Sequence, residues 1–261
     1  MGSSALCGRA ESAMSNNRDG IPLRAGGPVS GIVLTDEFQI LVADRPLMVP
    51  HTVERVLAFL ALSGHAVHRA KVAGELWFNA SEKQAANNLR TALWRIRRVG
   101  AHLVAVHPDK IRLAPEVTVD VSGLSGLAHR LIHCPRSDDL DCLGQLVGCG
   151  ELLPDWDDNW VVADRERFRL LRLEALERSA ATLIGQQRYG EALVAALAAA
   201  RTEPLRESAC RLLMQVHTRE GNVVEALRTY QSYRTLLRGE LGLEPSPLMR
   251  GLVMSLAHPR R

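Results

Sequence analysis

Hydrophobic and polar positions follow two different rhythms along the chain. Between residues 31 and 49 the short apolar runs IVL, FQILV and RPLMV, with Asp44-Arg45 at a turn, predict short strands in a small antiparallel sheet. A helical period then takes over. In VERVLAFLALSG, residues 53–64, Val56, Leu57, Leu60 and Ala61 line one face and Gly64 stops the run. RAKVAGELW, residues 69–77, predicts a second short helix that buries Val72 and Leu76. In the third, Ser81 and Gln84 stand at capping-box spacing, and Ala85, Leu89, Ala92, Leu93 and Ile96 mark one face through about residue 99. HLVAVH (102–107) and IRL (111–113) flank Pro108-Asp109-Lys110 and predict a hairpin. Sheet, three helices and hairpin in that order describe a mixed α/β winged helix-turn-helix, whose second and third helices form the reading pair.

The second half keeps the helical rhythm. Residues 160–184, 190–201, 205–219 and 223–237 predict successive helices, and a last one begins after Pro247. A shift of 34 residues lays Glu191-Ala192-Leu193 on Glu225-Ala226-Leu227, Leu176 on Cys210 and Ala180 on Met214. Ala192, Ala196, Ala199 and Pro204 stand at the spacings by which a tetratricopeptide repeat closes its second helix on its first; Ala226, Tyr230 and Tyr233 fill the corresponding places in the next copy. The expected organisation is therefore a disordered tail over 1–30, a winged helix-turn-helix over 31–122, an all-α tetratricopeptide-like domain over 123–256 and a short tail over 257–261.

Composition changes this picture only through the placement of charge. Formal net charge is +3, and the cations are 29 Arg and three Lys. Residues 83–112 hold Lys83, Arg90, Arg95, Arg97, Arg98, Lys110 and Arg112 against Asp109 alone, a balance of +6, whereas residues 123–261 hold 18 charges of each sign. Excess positive charge confined to one helix and the hairpin after it is an electrostatic footprint for a phosphate backbone.

Other chemistries find little support. GxxxxGK, HExxH and GxSxG are absent, and no paired-acid or nucleophile–base constellation stands out, so a non-enzyme is expected. Five cysteines, Cys7, Cys134, Cys142, Cys149 and Cys210, form an odd set without CxxC, which favours free thiols in a reducing compartment. His129 and His133 lie one helical turn apart, but the cysteine spacings beside them match no familiar zinc site. Asp155, Asp157, Asp158 and Asp164 read as a capping and surface segment near Trp156 and Trp160. No run approaches a membrane span, so a cytoplasmic, nucleoid-associated protein without metal, cofactor or membrane contact is expected.

Several strings extend the argument. LAFLALSG, VAGELW and NNLRTALWRIRR in the first half resemble the Streptomyces antibiotic regulatory protein family, as do GELLPDWDDNWVVADRERFRLLRLEALE, EPLRESACRLLMQVHTREGN and EALRTYQSYRTLLRGELGLEPSP in the second. The resemblance runs from about residue 31 to 256, and its second-half strings are the more specific. It implies a transcriptional activator joining a winged helix to a bacterial transcriptional activation domain. Such a protein binds direct-repeat operators on double-stranded promoter DNA, with self-association on repeated sites. It recruits RNA polymerase to the genes of a secondary-metabolite pathway such as antibiotic biosynthesis. The chain departs from the family at His51-Thr52-Val53-Glu54-Arg55, which lacks a Lys/Arg cluster, and at Pro108-Asp109-Lys110-Ile111, where a Gly-Tyr pair is usual.

On a wheel centred on Leu89, Ala92 and Ile96, the far side of the third helix carries Asn87, Thr91, Trp94 and Arg98, flanked by Asn88, Arg90, Arg95 and Arg97. Asn and Arg pair bidentately with adenine and guanine. Asn87, Asn88, Thr91 and Arg95 are therefore expected at base edges, and Lys83, Arg90, Arg98, Lys110 and Arg112 on the DNA backbone. Trp94 has two readings, a DNA contact or a core residue sealing helices one and three. A different class of function remains beside the activator, a protein-interaction scaffold whose winged helix no longer binds DNA.

Overall fold

The computed structural model describes residues 30–99 and 102–257. The tail expected to be disordered lies outside the described residues except for Ser30, and the C-terminal tail except for Ala257. The chain begins with β1 (Ser30–Val33), β2 (Gln39–Val42) and β3 (Arg45–Pro46). β2 and β3 are joined through Ala43 and Asp44, both with positive φ (49° and 60°), the backbone of a two-residue primed turn. The turn thus sits one residue earlier than the Asp44-Arg45 read from sequence, and Arg45 is already strand. The sheet is also not purely antiparallel: β7 (Thr118–Val119) returns after the wing and pairs parallel to β1, Gly31 opposite Thr118. A two-residue strand has no periodicity to read, which is why the pattern missed it.

Helix α1 (His51–Ser63) buries Val53 and every residue from Val56 to Ala61. It ends where Gly64, at φ 66°, donates its N–H to the Leu60 carbonyl at 3.2 Å, a left-handed cap that costs glycine little. β4 (Val67–His68) and α2 (Arg69–Leu76) follow, then α3 (Glu82–Arg98), then β5 (Val104–Val106) and β6 (Lys110–Leu113). β6 lies between β5 and β4, so the predicted hairpin supplies one edge and the central strand of a three-stranded wing, and β4 adds the other edge. The Arg69 N–H donates to the Asp109 carbonyl at 2.9 Å, tying the wing's tip to the start of α2.

The remainder is helical: α4 (Asp120–His133), α5 (Ser137–Asp141), α6 (Leu143–Gly148), α7 (Asn159–Gly185), α8 (Tyr189–Thr202), α9 (Glu207–Arg219), α10 (Val223–Leu241) and α11 (Pro247–Ala257). The expected division between residues 122 and 123 falls inside α4. α7 with α8, and α9 with α10, form the two copies of the 34-residue repeat. Ala192, Ala196 and Ala199 are fully buried between helices, and Ala226, Tyr230 and Tyr233 are buried at the equivalent places. Small side chains let the first pair close tightly, while the second accommodates two rings and anchors one, the Tyr233 hydroxyl donating to the Leu205 carbonyl at 3.2 Å.

One hydrophobic cluster runs unbroken from Ile32 and Leu34 through the three reader-domain helices into α4, α7, α8 and α9; a smaller one joins α9, α10 and α11 around Met214, Tyr230 and Met249. The seam between the halves is built by residues that no local pattern links. Asp120, at the start of α4, accepts from the Leu34 N–H (3.0 Å), the Thr35 N–H (3.0 Å) and the Thr35 hydroxyl (2.7 Å). Thr35 bridges to Leu152, and the Asp36 N–H donates to the Glu151 carbonyl at 2.8 Å. Gly150 sits beside this crossing, where a Cβ would lie 2.1 Å from the Asp36 carboxyl carbon and force that exposed side chain to turn away.

Trp156 packs 5.6 Å from the Phe38 ring and 4.9 Å from His51, while Trp160 meets Phe59 of α1 at 5.3 Å. Arg55 of α1 pairs with Asp158, the N-cap residue of α7. Arg165 then gathers the carbonyls of Leu152 (2.8 Å), Leu153 and Trp156 (2.8 Å) under its guanidinium. The segment around Asp158 is capping and surface, as read from sequence, with Asp158 the N-cap of α7 and Asp155 and Asp157 exposed, and through Asp158 it is also part of the joint between the halves.

Candidate nucleic-acid interface

α3 is held by one face and offered to solvent by the other. Ala85, Leu89, Ala92, Leu93 and Ile96 are the buried positions, packed against α2 and α1. Ser81 caps the helix by accepting the Gln84 N–H at 3.4 Å, the half of the capping box that the structure forms. Glu82 stands in the first turn and Arg95, Arg97 and Arg98 in the last, each charge of the sign that suits its end of the helix dipole.

Every residue singled out for DNA contact on α3 is exposed: Lys83, Asn87, Asn88, Arg90, Thr91, Trp94, Arg95 and Arg98, with Arg97 beside them. Trp94 is 55% exposed, so it does not seal the core, and the half-buried Trp77 lies nearer that place. The Arg98 guanidinium carbon sits 4.8 Å from the centroid of the Trp94 ring. Arg90 donates to the Asn87 side-chain oxygen at 3.0 Å, and the Thr91 hydroxyl donates back to the Asn87 carbonyl at 3.0 Å.

On the wing, strand alternation buries Ile111 completely and leaves Lys110 and Arg112 exposed on the other face of β6. Among the described residues none of these cations has a carboxylate within 4.0 Å; the pairs with Glu75 or Glu82 that would neutralise α3 are not made. Two further exposed groups on this half escaped the sequence reading: Phe78, 72% exposed in the turn between α2 and α3, and Met48, 87% exposed after β3. Phe78 lies outside any periodic segment, and Met48 lies in the RPLMV run that the pattern predicts as strand, of which only Arg45–Pro46 is strand.

The alternative chemistries are dispersed. Cys134 and Cys142 are exposed, Cys149 is half-buried and Cys210 is buried, where loss of hydration pushes its thiol up to about 12. His129 and His133 stack at 6.3 Å on α4, and no group of three His, Cys, Asp or Glu side chains arranged to hold a metal occurs among the described residues. No described helix is long and apolar enough to cross a membrane. In the helical half a shallow groove of about 380 Å³ opens between α6 and α8, lined by Val147, Val194 and Leu197 with Arg172 and Arg201 at its rim.

Fold and site together define a winged helix with an exposed basic reader helix, fused to tetratricopeptide-like helix pairs. Residues 149–256 match the family model described as the bacterial transcriptional activator domain. The chain matches regulators of the Streptomyces antibiotic regulatory protein type in both halves. It is 30% identical over 217 residues, 75% of its length, to the regulatory protein AfsR of Streptomyces coelicolor. That stretch spans only about a fifth of the relative's own length, 20%. Among solved structures it is similar to Mycobacterium tuberculosis EmbR in complex with a low affinity phosphopeptide, with TM-score 0.64 at 20% identity, covering 87% of this chain and 65% of that one.

Proposed function

We propose that the chain is a sequence-specific DNA-binding transcriptional activator, and that no catalysis enters its mechanism. The observation that carries this reading is the unpaired, outward-facing positive charge of α3 and the wing, on a fold whose third helix is shaped to enter a major groove. Asn87, Asn88, Thr91 and Arg95 face base edges, while Lys83, Arg90, Arg98, Lys110 and Arg112 hold the backbone. Residues 31–122 read DNA and residues 123–256 supply the surface that engages RNA polymerase or a neighbouring protomer on direct-repeat operators. The match to a bacterial transcriptional activator domain supports that division, and similarity to a Streptomyces regulatory protein supports secondary-metabolite genes as targets.

The test is selection of duplexes from a random-sequence pool by the full chain, followed by titration of the enriched duplex at several salt concentrations. Enrichment of a repeated motif, with log K falling linearly against log salt, is the expected result. The enriched duplex, placed upstream of a promoter, should then raise transcription by purified RNA polymerase. Failure to enrich any sequence rejects the reading.

A further inference from the structure

The outward ridge of α3 is formed by Asn87, Thr91, Trp94 and Arg98, successive positions on the side opposite Leu89, Ala92 and Ile96. Three of these are polar, as a solvent-facing ridge requires. Trp94 is the exception: it leaves 55% of a large apolar ring in water on a helix that has a core face available for it. The ring is also held in place. Arg98, one turn further on, lies over it at 4.8 Å, so one face of the indole is occupied by a cation while more than half of the residue stays open to solvent. A stacked pair of this kind loses less side-chain entropy on binding than two free side chains.

An apolar edge at the centre of a ridge that enters a major groove has one apolar partner there, the C5-methyl group of thymine. Resting on the DNA-binding reading above, we infer that Trp94 is a specificity-determining residue that selects a thymine by contact with its methyl group, with Arg98 stacked behind it as a pre-positioned cation. Trp94 thereby reads shape and apolarity at one base with a large ring, where Asn87 on the same ridge offers only hydrogen bonds and Thr91 a single small methyl beside a hydroxyl that already donates to the Asn87 carbonyl.

The test uses the full chain and the duplex enriched from the random pool. Each thymine of that duplex is replaced in turn by deoxyuridine, which keeps every hydrogen-bonding group and removes only the methyl. Wild type should lose about fourfold in affinity at one position, the factor that burying one methyl-sized group is worth, and little elsewhere. Trp94→Ala should bind the unmodified duplex weaker by a similar factor or more and be indifferent to uridine at that position, while Trp94→Phe should keep part of the dependence. The exposure of Trp94 leaves both variants folded, which a melting curve checks. Binding should also shield wild-type tryptophan emission from acrylamide, and this protection should vanish in Trp94→Ala. A Trp94→Ala variant with wild-type affinity, or one that weakens binding while the wild type ignores every uridine, overturns the inference and leaves the activator reading intact. Absence of any enriched duplex overturns both.

Discussion

Arginine is the main cation of both halves of the molecule, and the two halves employ it in opposite ways. In the helical half Arg165, Arg167, Arg169, Arg178, Arg188, Arg206, Arg228, Arg234 and Arg238 each lie within an ion pair. Some knit helices together: Arg169 joins α7 to Glu203 at 2.5 Å, and Arg206 reaches back to the buried Glu177 at 2.9 Å, where the Ser208 hydroxyl also donates at 2.5 Å. Among the described residues of 30–122, by contrast, Arg55 is the one Arg or Lys in an ion pair, and its partner is Asp158 of the other half. The helical half sets most of its described arginines against its own carboxylates, Arg136, Arg172, Arg201, Arg219 and Arg250 being the exceptions. The winged half leaves its other Arg and Lys cations without carboxylate partners, and the one arginine pair it makes fastens it to its neighbour. A formal net charge of only +3 and a locally basic surface on α3 and the wing coexist because the excess cations fall in residues 83–112 and find no carboxylate partner there.

The comparison can be broken hardest at the seam. A chain ending at residue 122 would lose Trp156, Trp160, Leu152 and the partner of Arg55, and would leave Phe38, Leu34 and Phe59 uncovered. The expected outcome is loss of a cooperative thermal transition, read by far-UV circular dichroism. A sharp melt near that of the full chain would show that the winged half folds alone and that the seam is a docking contact. Within the intact chain, Asp120→Ala strips the acceptor from two backbone N–H groups of the Leu34-Thr35 turn and from the Thr35 hydroxyl. It should cost about 3 kcal/mol in urea unfolding, since half-buried donors are left unpaired. Asp120→Asn, which keeps one acceptor, should cost less.

How much of this was legible follows from the length of each signal. Helices α1 and α3 and the repeat pairs were written in patterns longer than ten residues, α2 and the wing hairpin in shorter runs bounded by turn signals, and α3 shows the buried stripe its sequence implied, Ala85 to Ile96. β4, β7 and the Thr35–Leu152 bridge are one or two residues long and arise from pairing between distant segments, which no local period encodes. Nothing local marked Asp120 or the joint role of Asp158, because their partners lie 86 and 103 residues away. Exposure of the α3 residues followed from helical phase, which put Trp94 on the side away from the core too, but the large apolar ring kept a core reading open beside it. The neighbouring helices decided it, by filling the core without that ring.

A smaller and more specific effect separates two exposed arginines on α3. Arg98→Ala should weaken specific and nonspecific binding by similar factors and reduce the magnitude of the log K against log salt slope by about 1, as loss of one phosphate contact requires. Arg95→Ala should instead erode preference at one base position by roughly 1 to 3 kcal/mol if its contact is bidentate. Titrations against the enriched duplex and a single-mismatch series distinguish them. Wild-type affinity, specificity and salt slope in both would remove α3 from the interface.

The smallest expected effect is the control that gives the comparison its meaning. Arg228 is as exposed as the reader arginines, with 71% of its side chain accessible, but its guanidinium is 2.6 Å from Glu225, one turn earlier on α10. An exposed pair of this spacing gains little over two hydrated charges, so Arg228→Ala should change unfolding free energy by less than about 0.5 kcal/mol. Glu225 keeps a favourable place in the first turn of its helix after its partner is gone, which holds the cost down further. The same substitution should leave DNA affinity and the salt slope unchanged. If Arg228→Ala instead lowers the slope as Arg98→Ala does, the paired arginines are also reaching phosphate. Internal pairing would then not be what confines DNA binding to the winged half, and the helical half would have to be placed against the DNA itself.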